Sequence, residues 1–99
     1  MGINMKAIQQ MQMRLEKVQK ELGETIVEGS AGGGVVVARV TGQKDFQSIK
    51  IDPSAVDPDD VEMLQDLVVA AVNDALRASR EVAEQKMAAV TGGLRIPGM

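Results

Sequence analysis

The chain contains no cysteine, no histidine, no tryptophan and no tyrosine, and its one aromatic residue is Phe46. Each absence removes a class of chemistry. Without cysteine there is no disulfide framework and no thiolate metal site. Without histidine as well, the common zinc constellations, the Ser-His-Asp and Cys-His nucleophile systems and the usual proton shuttle near neutral pH are excluded. Single-stranded nucleic acids are gripped by stacking on aromatic rings, and one phenylalanine provides no such platform. A nucleic-acid ligand of this chain is therefore expected to be a duplex held mostly by its phosphates. No apolar run approaches the roughly 20 residues of a membrane-spanning helix. The first residues, MGINMKAIQQ, lack the apolar segment of a secretory leader. Lys6 also stands where a myristoylation signal requires Ser or Thr. The expectation is a cytoplasmic protein with no membrane, cofactor, metal or small-molecule substrate.

The 99 residues allow one small domain, and its 44% apolar content is supplied by Val, Ala, Ile, Leu and Met rather than by large rings. A core of that kind is marginal alone, which gives the chain reason to bury further surface against a second copy. The net charge of −3 hides a strong asymmetry. Residues 1–22 and 76–99 each carry +2, whereas residues 23–75 carry −7. Basic ends around an acidic middle can hold an anion-binding face despite an acidic isoelectric point.

Residues 3–22 read as a helix. Ile8, Met11, Leu15, Val18 and Leu22 recur at spacings of three and four, the seam of a helix packed on another helix. Gly23 marks its expected end. Three strands follow, at about 24–29, 34–41 and 46–51, joined by the glycine-rich loop GSAGGG and a turn at Gly42-Gln43-Lys44-Asp45. Ile49 and Ile51 share one strand face, but Phe46 is out of phase with them, which calls for a bulge or an early turn. Asp57 as N-cap and Pro58 as the first helical residue open a helix over 58–90. At ~1.5 Å per residue that helix approaches ~50 Å, whereas strands of this length span only about 20–27 Å. Its far half must therefore project from the sheet, where the stripe of the first helix can pair with it. The expected fold is α+β, ordered α-β-β-β-α, with a three-stranded antiparallel meander and two long helices forming an arm. Residues 1–90 form one domain, and 91–99 a flexible tail.

Several motifs invite a ligand and have a plainer explanation. GSAGGG lacks the Gly-Lys-Ser/Thr ending of a phosphate loop and precedes a strand rather than a helix. The acids Asp57, Asp59, Asp60 and Glu62 miss the calcium-loop spacing and suit a helix N-terminus. Met5, Met11 and Met13 are interleaved with Gln and Arg rather than clustered for a soft metal. The basic residues carry more weight. Lys6, Arg14, Lys17 and Lys20 share the first helix, and Arg77, Arg80 and Lys86 lie on the projecting part of the second. The plainer explanation for Arg77 and Arg80 is i,i+4 pairing with Glu81 and Glu84.

The strings KAIQQMQMRLEKVQKEL, GSAGGGVVVARVTG, IKIDPSAVDPDDVEMLQDLVVAAVNDAL and EQKMAAVTGGL together resemble the YbaB/EbfC family through nearly the whole chain. The IDPS turn, LQDLVVAAVNDAL and the KM…TGG ending are the most specific parts. The resemblance implies a tweezer-like homodimer, helical arms projecting from a joined β core, association with the bacterial nucleoid, and DNA binding without catalysis. On that basis the residues assigned to DNA are Lys6, Arg14, Lys17, Lys20, Arg77, Arg80 and Lys86. The competing reading is a protein-interaction scaffold, a partner in DNA repair or replication that does not itself touch DNA.

Overall fold

The computed structural model of the chain describes residues 4–90. The elements run α1 (Met5–Glu24), β1 (Ile26–Ala31), β2 (Val36–Thr41), β3 (Phe46–Ile51), a single 3-10 turn (Pro53–Ala55) and α2 (Val61–Val90). This is the α-β-β-β-α order expected of the sequence. The tail expected at 91–99 lies outside the described residues.

Both helix boundaries shift from the sequence expectation for a local reason. α1 begins where the Asn4 side chain accepts from the Lys6 N–H at 3.0 Å. It runs through Gly23 and ends at Thr25, whose N–H donates to the Leu22 carbonyl and whose hydroxyl donates to the Glu21 carbonyl. A polar hydroxyl thus closes the helix two residues beyond the glycine expected to do so. α2 starts at Val61, not at Pro58. The Asp57 carbonyl accepts from the Asp60 N–H, and its carboxylate accepts from the Asp59 N–H, so Asp57 to Asp60 form a separate turn. The helix cap is Asp60, whose carboxylate accepts from the Met63 N–H at 3.1 Å. Three acids in four residues could each cap, and the turn made by Asp57 leaves that role to Asp60.

The strands form one antiparallel sheet in the order β1-β2-β3. In β2, Val36, Ala38 and Val40 alternate toward α2 and are fully buried. They meet Ala71 and Ala75 of α2, with Val27, Ala31, Leu64, Leu67, Val68 and Val72 packed around them. The small residues let helix and sheet approach closely. Gly29, opposite Ala38 in the ladder, lies directly under α2, and a Cβ there would collide with the Ala75 nitrogen and the Ala71 carbonyl.

The phase problem in β3 is resolved by a bulge. Arg39 pairs with Ser48, but the next residue, Val40, pairs with Phe46, so Gln47 is the extra residue. Phe46 thereby joins Ile49 and Ile51 on the α2 side of the sheet. α2, however, lies over β1 and β2. The three apolar side chains of β3 are left 50%, 44% and 38% exposed.

Beyond the sheet α2 continues as half of an arm. The Ser79 hydroxyl fastens it to the Thr41 carbonyl, and Ala83 and Met87 lie close to Leu22, Gly42 and Gln43. Val18 and Leu22 of α1 are buried, and Lys86 pairs with Glu21 at 3.4 Å. Gln43 donates to the Gln19 carbonyl, and Gly42 donates to the Leu22 and Thr25 carbonyls, which fixes the base of the arm to the β2–β3 turn. The result is an elongated body of 70 × 29 × 16 Å.

Candidate nucleic-acid interface

At 3.6 residues per turn, Lys6, Lys17 and Lys20 fall on the side of α1 away from Leu15, Val18 and Leu22, and Arg14 lies at the flank of that side. All four are exposed. None takes part in an ion pair among the described residues. Gln10 and Met13 complete this face and, with Arg14 and Lys17, line a shallow recess on it. Four cations without an ion-pair partner, set against Glu16 and Glu21 on the same helix, leave α1 with a positive surplus facing solvent.

The cations of α2 are arranged differently. Arg77 donates to Asp74 and to Glu81, both at 2.7 Å. Its hydrogen bond to Asp74, and then that to Glu81, hold its proton more tightly than in a free guanidinium. Asp74 is pulled below the usual carboxylate range, first by Arg77 and then by the N–H of Ser30 that it accepts. Lys86 is the partner of Glu21. Arg80 is exposed and free of ion pairs among the described residues, and Glu84 does not reach it. The seven basic positions are therefore not equivalent: Lys6, Arg14, Lys17, Lys20 and Arg80 are unengaged, whereas Arg77 and Lys86 already hold acids.

The double role of Asp74 was not visible in the chain, where it stands 44 residues from Ser30. Its only local signal is Arg77, three positions on. The sheet face away from α2 holds a recess of about 600 Å³ lined by Glu28, Arg39, Ser48, Lys50 and Asp52, among others. Arg39 is bound to Glu28 at 2.8 Å and Lys50 lies near Asp52, so its charges balance. Of the acids ahead of α2, Asp57 and Asp60 spend their side chains on backbone N–H groups, and no metal-holding group of three or more His, Cys, Asp or Glu occurs among the described residues.

The model of the YbaB/EbfC DNA-binding family matches residues 1–94. The chain belongs to the YbaB/EbfC DNA-binding family. It is 54% identical over 91 residues to a nucleoid-associated protein of Chloroflexus aurantiacus, covering 92% of this chain and 91% of that one. It is 56% identical over 95 residues to a nucleoid-associated protein of Desulforamulus reducens, covering 96% and 90%. The crystal structure of an uncharacterised protein from Helicobacter pylori shares the fold at a TM-score of 0.70, with 24% identity over 81% of this chain and 84% of that one. In this YbaB/EbfC chain, no described helix is long and apolar enough to cross a membrane.

Proposed function

We propose that the protein binds duplex DNA as a homodimer, chiefly through phosphates, and organises or regulates the bacterial nucleoid in the cytoplasm without catalysis. The observation that carries this reading is the exposed face of α1, where Lys6, Arg14, Lys17 and Lys20 have no acidic partner among the described residues. Unpaired cations on a rod recruit phosphates and release the counterions condensed on the duplex. Arg80 adds a further free charge on the second helix of the arm. Arg77 and Lys86 reach a phosphate only by giving up an internal partner, so they contribute less.

The homodimer is supported by what α2 leaves bare. β3 has a neighbouring strand on one side only, and Phe46, Ile49 and Ile51 stand beside that open margin, with Val69 of α2 also 59% exposed. Apolar side chains along an unpaired strand favour pairing with another copy. The other margin is protected at Ser30, whose N–H is taken by Asp74. Two copies joined through β3 present two arms to one duplex.

Salt-titrated binding to a duplex tests the proposal. With about 4 phosphates neutralised, log K falls against log salt with a slope near −3.6. A slope near zero removes phosphate binding. Partners captured from nuclease-treated lysate, with no duplex retardation even at low salt, would move the function to protein scaffolding.

A further inference from the structure

Met13 is 68% exposed, the barest large apolar side chain among the described residues, and it stands in the middle of the cationic face of α1. Packing does not account for it, since the buried stripe of α1, ending in Val18 and Leu22, runs along the other side. It lines a recess with Gln10, Arg14 and Lys17, so whatever those side chains meet, Met13 meets too.

We propose that Met13 seats against the C5-methyl group of thymine in the major groove, with Gln10 on the adenine of the same pair. The inference rests on the duplex-binding reading above and extends it from holding the backbone to reading a base. An α-helix with its side chains is about 10–12 Å across, which fits the major groove at about 12 Å and not the minor groove at about 6 Å. Lys6, Lys17 and Lys20 flank Met13 along the same face. When they reach the phosphates on the groove walls, the residue between them points to the groove floor. The thymine methyl is the apolar group on that floor, and a thioether chain is flexible enough to follow it. The Gln10 amide can pair with adenine N6 and N7, which the neighbouring lysines cannot do.

The test compares a thymine-rich duplex with the same duplex carrying uracil throughout, which deletes the methyl and keeps the pairing. The wild-type protein is expected to bind the thymine duplex about fourfold more tightly for each methyl it covers. Met13→Ala should bind both duplexes alike with an unchanged salt slope, while Met13→Leu should retain the preference. Circular dichroism and mass in solution check that each variant keeps its fold and assembly. Equal affinity of the wild type for the two duplexes, or a preference that survives in Met13→Ala, overturns the role of Met13 and leaves phosphate binding standing. Failure to bind either duplex at low salt overturns both readings.

Discussion

The hydroxyl of Ser79 donates a buried 2.8 Å hydrogen bond to the carbonyl of Thr41, across 38 residues of sequence. It marks the point where α2 leaves the sheet and becomes part of the arm. Thr41 is also where the turn into β3 is tied, since its side-chain oxygen accepts from the N–H groups of Gln43 and Asp45. Ser79→Ala leaves the Thr41 carbonyl buried without this partner. The Lys44 N–H still donates to that carbonyl at 2.9 Å, so the expected loss is about 0.5–1.5 kcal/mol, read as a lower urea midpoint at fixed protein concentration. An unchanged midpoint would mean that water reaches the carbonyl and that the joint is looser than its geometry indicates.

Gly29 and Gly33 lie in the same hairpin and are expected to respond differently. A Cβ at Gly29 meets the backbone of α2, which cannot move aside like a side chain. Gly29→Ala should therefore lift the helix off β1 and cost about 1–3 kcal/mol or more. Gly33 faces open space and is constrained only by its positive φ of 73°. Gly33→Ala should cost about 1–2 kcal/mol through backbone strain alone, without disturbing the arm. Thermal unfolding of the two variants separates collision from strain.

The division of the basic residues into free and engaged predicts unequal effects on DNA. Lys17→Ala with Lys20→Ala should weaken duplex binding at all sequences and make the salt slope shallower by about 2, because two phosphate contacts are lost. Arg77→Ala should change affinity little. Retardation assays at several salt concentrations report both. If Arg77→Ala proves the more damaging, the Asp74–Arg77–Glu81 set opens on binding and α2 carries more of the interface than its resting geometry shows.

Ile49→Lys places a charge in the middle of the bare side of β3 while leaving the β2–α2 core untouched. The expected outcome is a one-chain mass by light scattering at micromolar concentration, with circular dichroism that still shows both helices. Duplex affinity should fall steeply, because two arms on one duplex bind with an effective concentration that a single arm lacks. A two-chain mass for this variant would put the subunit contact elsewhere.

Much of the architecture could be read from local pattern. The seam Leu15-Val18-Leu22 identified a helix with a helical partner, and the mismatch between thirty residues of helix and six-residue strands required an arm. The out-of-phase Phe46 required an irregularity, which the bulge at Gln47 supplies. What could not be read depended on tertiary neighbours. Asp57 and Asp60 are equally good caps in sequence, and only the turn between them decides. Gly29 looks like one more loop glycine until α2 is laid across it. Arg77 and Lys17 look alike in composition, yet one is clasped by two acids and the other by none, and the acid that matters most to Arg77 also serves a strand 44 residues away.

That same carboxylate bears on how far assembly can proceed. A sheet with two receptive margins can add copies without end, each new arrival offering a fresh template. Here Asp74 takes the Ser30 N–H on one margin, which leaves that margin less receptive than the bare side of β3. Under the proposed pairing through β3, that one aspartate favours a finite pair over a fibre.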